Sequence, residues 1–373
     1  MSNQLCRRQF LKSGVGLIAG IGSAVLFGDR AVLAQPANQP SQTQNTLYTK
    51  GRYLYDSSGQ KIVLRGINLP LLDDWDFPQS DKLAELEKTG ANAVRIQWYK
   101  DYSQPTRPAY SLQDLDRVLA KCKANQIVPI LGLSDLTCKS DLTLLNTQLI
   151  PWWTSEPVLT VLKKHQQYLI VNLAGELGVY RWADNSEEAL EAYKNAYKSA
   201  IASIRQHLQV PIAIDAPDCG TSIEVFAKIG RELIASDPNR NLLFSGHAYW
   251  AGYDGMSHLN AVIEANLPII FGEIANKQDE SIAGETEYCY YDLDGSNENH
   301  PPQNDFTYQA FLTVLKEQEI GWLAWCWWKD YCDRREMTQD GNLSGLTLYG
   351  DDLVNNPIYG LKATARRSTA FGA

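Results

Sequence analysis

The chain has 373 residues, of which 44% are hydrophobic, 21% charged and 10% aromatic. Those fractions describe a globular protein and exclude a disordered or fibrous one. The formal net charge of −9 gives no basic face for nucleic acid or an anionic membrane, and it suits a neutral substrate. Ten Trp and nineteen Tyr supply flat apolar faces with polar edges, which stack well on sugar rings and equally well fill a core.

The chain opens on a targeting pattern. Arg7-Arg8-Gln9-Phe10-Leu11-Lys12 is a twin-arginine motif, an apolar glycine-rich run covers 14–28, and Val32-Leu33-Ala34 offers small residues for cleavage before Gln35. Residues 1–34 are therefore expected to be a signal peptide and the product periplasmic or extracellular, with no membrane partner after cleavage. That route carries folded proteins, so the fold should form without help from disulfides. Residues 35–46, rich in Gln, Pro, Asn, Ser and Thr, form a polar linker. Of seven cysteines, Cys6 leaves with the signal. The remaining six permit fifteen full pairings, and oxidation outside the cell can join some of them. No Cys or His grouping has zinc-site spacing, so neither a metal nor another cofactor is expected.

From residue 47 onward, short apolar runs alternate with amphipathic stretches. The runs are 62–67, 93–96, 127–133, 168–173, 212–214, 242–244, 267–271 and 322–325, and helical periodicity marks 81–88, 112–124, 189–207, 222–235 and 307–318. Strands alternating with helices predict a parallel sheet buried on both faces. Eight of them in this length predict an α/β fold, a (β/α)₈ TIM barrel occupying 47–373 as a single catalytic domain. An open doubly wound sheet is the other architecture, but no G-x-G-x-x-G or phosphate loop follows the first strand.

In a barrel the chemistry gathers at the carboxyl ends of the strands. Polar residues expected there are Asn68, Arg95, Ser134, Asp135, Glu176, Asp215, Asp218, His247, Tyr249 and Glu273, with Trp325 in the last strand. A lone Asp or Glu at a strand end is more often a helix cap or salt bridge. Opposite charges converging with His, Tyr and Trp favour a functional rim, because an unpaired buried charge is expensive.

These residues resemble glycoside hydrolase family 5, which holds cellulases and β-mannanases, along roughly 48–369. Leu64-Arg65-Gly66-Ile67-Asn68 resembles the family's first strand, and Thr89-Gly90-Ala91-Asn92-Ala93-Val94-Arg95-Ile96 its second. Tyr168 through Glu176 resembles the fourth, Ser245-Gly246-His247-Ala248-Tyr249 the sixth, and Leu267 through Glu273 the seventh. Gly321-Trp322-Leu323-Ala324-Trp325 resembles the eighth. The resemblance implies Glu176 as general acid/base, Glu273 as nucleophile, Arg95 steadying that nucleophile, and Asp135, His247, Tyr249 and Trp325 as substrate-binding residues. It implies a retaining endo-β-1,4-glycanase acting on β-glucan or β-mannan as a monomer.

Two positions depart from the family. Gly175 stands where an Asn normally precedes the acid/base, and Ser134 where a His precedes Asp135. The missing Asn would hydrogen-bond the sugar 2-hydroxyl, a contact that strengthens in the transition state. These departures motivate a second reading, a carbohydrate-binding protein on a weakened barrel; transfer to a sugar acceptor is a third. Arg95 is expected to favour the ionised form of Glu273, and partial burial the protonated form of Glu176. Two long rim loops, 277–305 and 329–350, carry Cys289 and Cys332, whose bridging would shape the cleft.

Overall fold

A computed structural model of the chain describes residues 45–70, 81–100 and 110–371. The twin-arginine segment and most of the linker lie outside the described residues. Three short strands come first, β1 (Tyr48–Lys50), β2 (Tyr53–Tyr55) and β3 (Lys61–Ile62), paired as an antiparallel sheet. Then follow β4 (Arg65–Pro70), β5 (Ala93–Trp98), β6 (Val128–Leu133), β7 (Ile170–Asn172), β8 (Ile212–Asp215), β9 (Leu242–His247) and β10 (Ile269–Ile274). A hairpin, β11 (Lys277–Ile282) with β12 (Glu285–Asp292), precedes β13 (Gly321–Ala324). Strands β4 to β10 close with β13 into a parallel eight-stranded barrel. The expected (β/α)₈ fold is the observed one.

Barrel strands such as β4, β5, β6, β9 and β10 are buried along their whole length, as a sheet covered on both faces requires. The covering helices are amphipathic. In Leu112–Ala124 the residues Leu115, Val118, Leu119 and Cys122 recur at helical spacing and are buried, and a reciprocal Ser111–Asp114 capping box starts the helix. The inward residues at the lower end of the barrel, among them Val128, Ile170 and Leu243, form one cluster with Leu47, Leu54 and Ile62. The small N-terminal sheet thus plugs the barrel floor.

Two expectations need correction. The first barrel strand begins at Arg65, not at residue 62, because Ile62 pairs antiparallel to Leu54 in the N-terminal sheet. β9 and β10 run three residues past their expected ends, so His247 and Glu273 lie within strands; Trp325 falls just after β13. Of the ten tryptophans, Trp98, Trp153, Trp250, Trp322 and Trp327 are fully buried core.

Candidate active site

Arg95, in β5, is 2% exposed and organises the mouth of the barrel. Its Nη1 donates to Glu273 Oε1 at 2.7 Å and to Asn68 Oδ1 at 3.2 Å, its Nη2 to Asp215 Oδ2 at 2.9 Å, and its Nε to Asn172 Oδ1 at 3.2 Å. Asn172 Nδ2 donates in turn to Asp215 Oδ1 at 3.1 Å. Asn68 Nδ2 donates to the carbonyls of Gly272 and Ala324, which ties strand β4 to β10 and β13. Tyr249 Oη donates to the second oxygen of Glu273, Oε2, at 2.9 Å. Both Glu273 oxygens are therefore held in place.

Glu176 reaches the same point from the opposite side. β7 ends at Asn172, one residue before the end of its apolar run, and the chain turns so that Glu176 sits at φ +54°. A non-glycine residue in that region is strained by about 1–3 kcal/mol and persists where surrounding bonds over-determine it. Here the Gly175 N–H donates to the Leu133 carbonyl at 2.7 Å, the Glu176 N–H to Asp215 Oδ2 at 3.2 Å, and the Cys138 N–H to the Glu176 carbonyl at 3.1 Å. The Glu176 carboxyl lies 2.7 Å from His247 Nδ1. Ligating atoms of Glu176, His247 and Glu273 all fall within 4.8 Å of one another.

His247 is fully buried and packed between two glycines. A Cβ on Gly220, at φ +80°, would lie 2.5 Å from the imidazole Cγ, and one on Gly272 would lie 2.9 Å from Nε2. Only glycine leaves room for the ring at both positions. Burial alone would push His247 down, but Glu273, Asp215 and Glu176 around it outweigh burial and raise it. Glu273 is displaced the other way from the sequence expectation. Burial, reinforced by Glu176, holds it above the ordinary carboxylate value despite the opposing pull of His247, Arg95 and the Tyr249 hydroxyl.

The other expected residues divide. Trp325 is half-buried at the rim, its Nε1 donating to Asp330 Oδ2 at 3.1 Å. Asp330 is bound by Arg335, which also forks onto Asp279 in the hairpin. The Cys289–Cys332 bridge joins the two rim loops beside this network. Asp135 accepts the Lys100 N–H at 3.1 Å at the end of β6, which places it on the loop after β5. Ser134 Oγ is buried with no hydrogen-bond partner among the described residues, 3.4 Å from where a Cβ on Gly175 would stand. Asp218 is structural: it accepts the N–H groups of Tyr180, Arg181 and Trp182 and the Ser222 hydroxyl.

A family model described as Cellulase (glycosyl hydrolase family 5) matches residues 55–331. The chain belongs to this family. It is a glycoside hydrolase. A mannan endo-1,4-beta-mannosidase of Salipaludibacillus agaradhaerens is 26% identical over 341 residues, covering 87% of this chain and 95% of the relative. One of the same description from Cellvibrio japonicus is 25% identical over 336 residues, covering 87% and 69%. Among solved structures, the mannohexaose complex of Thermomonospora fusca β-mannanase superposes with a TM-score of 0.68 at 22% identity, over 88% of this chain and 99% of that one, a likeness of fold.

Within this family 5 barrel, reading for strand-end acids and bases found Arg95, Glu176, His247, Tyr249 and Glu273, but Asn172 was passed over. Its signal was available: a polar residue inside the apolar run 168–173 must find partners when buried. Asp215 stood among the rim residues, and its central place, bonding Arg95, Asn172 and the Glu176 N–H, depends on contacts between strands far apart in the chain.

Proposed function

We propose that this protein is a retaining endo-β-1,4-mannanase that acts on exported-side polysaccharide, with Glu176 as general acid/base and Glu273 as nucleophile. One observation carries the mechanism: carboxyl oxygens of Glu176, on the loop after β7, and of Glu273, in β10, approach within 4.8 Å. Retaining sites hold their carboxyls about 5–5.5 Å apart, whereas inverting sites leave about 6.5–9.5 Å for a water. The preference for mannan is supported by the mannosidases among the relatives.

The charges fit that chemistry. Arg95 and a protonated His247 face Glu176, Asp215 and Glu273, so the cluster is neutral when one of the three carboxyls carries a proton. Asp215 is bonded to Arg95, and Glu273 to Arg95 and Tyr249. Glu176 gives a proton to the leaving glycosidic oxygen while Glu273 attacks the anomeric carbon. Glu176 then removes a proton from water, which displaces Glu273 from the same face that the leaving group left. Trp325 stacks against the sugar, and the partnerless Ser134 hydroxyl donates to one of its oxygens.

The test is an NMR time course on mannan, glucomannan, cellulose and mixed-linkage glucan. Mannan and glucomannan should be cut fastest, with the β-anomer appearing first. An α-anomer first rejects the nucleophile, and faster cleavage of cellulose rejects the substrate.

Gly175 bears on rate. An added Cβ there meets Ser134 Oγ at 3.4 Å, Arg95 Nη2 at 3.6 Å and the Leu133 carbonyl at 3.6 Å, ordinary contact distances. Gly175→Asn should therefore fold and present an amide to the sugar 2-hydroxyl. It is expected to raise kcat by roughly 10-fold or more, a fraction of the several kcal/mol such contacts supply. An unchanged or lower kcat in a variant of unaltered melting temperature would mean that another group already fills this role.

A further inference from the structure

The acid/base sits against sulfur. Cys138, on the loop after β6, is disulfide-bonded to Cys219, on the loop after β8, with Cα atoms 4.8 Å apart. Cys138 Sγ lies 3.2 Å from Glu176 Oε2, on the side of the carboxyl away from His247. A bridged sulfur has no proton to give, so this contact is a close approach of sulfur and oxygen rather than a hydrogen bond donated by the cysteine. The two sulfurs and a Glu176 oxygen lie within 4.8 Å of one another. Cys138 is partly exposed whereas Cys219 is 3% exposed, so a reductant meets the bridge at Cys138.

We propose that reducing the Cys138–Cys219 bridge creates a site for a thiophilic divalent cation, held by Cys138 Sγ, Cys219 Sγ and the Glu176 carboxylate, and that occupancy takes Glu176 out of the catalytic cycle. The catalytic half rests on the role given to Glu176 above; the metal site does not. Two unbonded sulfurs relax to about 3.7 Å, the span of a tetrahedral ion with metal–sulfur bonds of about 2.3 Å. Two thiolates and one carboxylate form a donor set suited to zinc or cadmium, with a fourth position open to water. The loops need little movement, because the Cys138 N–H and the Glu176 carbonyl are already bonded. The balance is simple. A trialkylphosphine takes the oxygen of one water and becomes its oxide, supplying two electrons to the disulfide, and the two sulfurs take up the two protons. The cation then displaces both thiol protons to solvent.

The test reduces the full chain with a trialkylphosphine, removes the reductant without air, and titrates cadmium(II) alone. The reduced protein should develop an ultraviolet thiolate-to-metal charge-transfer band that saturates at one equivalent; the oxidised protein should not. Cys138→Ser/Cys219→Ser should lose the band, Glu176→Gln should bind on the order of tenfold more weakly or worse, and Cys289→Ser/Cys332→Ser should keep it. In the wild type, bound cadmium should shield Cys138 and Cys219 from alkylation, a readout that needs no variant. Zinc should halt hydrolysis by the reduced enzyme only, reversibly on chelation. No band in reduced protein, a band that survives in Cys138→Ser/Cys219→Ser, or full alkylation of both cysteines in cadmium overturns the site. A chain that binds cadmium as described but hydrolyses no glycan in either redox state instead overturns the reading of Glu176 as acid/base.

Discussion

Glu273→Gln should lower kcat by roughly 10⁴-fold or more, because the proposed covalent step loses the carboxylate assigned as its nucleophile. The fold should hold. Burial raises the Glu273 carboxyl above its ordinary value, and such a group opposes folding once the pH exceeds both its unfolded and folded pKa values. A neutral amide of the same shape removes that penalty, and Arg95 keeps Asp215 as a partner. The melting temperature should stay within a few degrees or rise. Azide separates the two carboxyls by stereochemistry. In Glu273→Ala it enters the vacated space and attacks the anomeric carbon from the nucleophile's side, giving an α-glycosyl azide. In Glu176→Ala, with an activated leaving group, the covalent intermediate still forms and azide displaces it, giving the β-product. Interchanged products would reverse the assignment; wild-type turnover in Glu273→Gln would remove it.

Arg95→Met should be the most damaging single change to stability at the site. It removes the guanidinium bonded to Asp215 and Glu273 and leaves His247, 3.6 Å from each, as their remaining cation; breaking one partner of a buried pair costs about 3–5 kcal/mol. The melting temperature should fall by roughly 5–15 °C. The pH profile should move as well. In the proposed role Glu273 must be ionised to attack, so its titration should form the acid limb of kcat/KM. Burial already sets that limb above the ordinary carboxylate range, and Arg95 is one of the groups pulling it back. Without Arg95 the limb shifts to higher pH and the active range narrows from the acid side. Arg95→Lys restores the charge but not the fork that reaches Asn68, Asn172, Asp215 and Glu273 together, so it should recover only part of either loss. A methionine variant with native stability and an unmoved limb would show that Arg95 does not hold the pair.

Much of this architecture was legible in the residues. Strands buried on both faces read as unbroken apolar runs, and 112–124 was readable to the residue because Ser111 and Asp114 box its start. Boundaries failed where tertiary pairing decides them, as at Ile62, which the N-terminal sheet claims, and at His247 and Glu273, which extended pairing draws into strands. The N-terminal sheet went unread because its strands are only two or three residues long, and the rim hairpin because its strands are half-exposed or exposed along most of their length and carry no aliphatic run. At the site, ionisable residues closing apolar runs pointed to Arg95, Glu176, His247 and Glu273, which the fold brings together. The direction of the Glu273 shift was not legible, since it depends on how completely the barrel closes around the side chain. The pairing of Cys138 with Cys219 was equally hidden, 81 positions apart with nothing local to link them. Cys289 with Cys332 was accessible because both sit on long loops at the same rim.

The plugged floor has a consequence for proton traffic. Leu47, Leu54 and Ile62 seal the lower opening with the apolar ends of the strands, so Arg95, His247 and the three carboxyls sit above a dry stopper. Among the described residues, protons reach that cluster from the groove above and not through this apolar end. A glycan lying across the groove would cover that route, so exchange with solvent would take place before the substrate binds and after the first product departs.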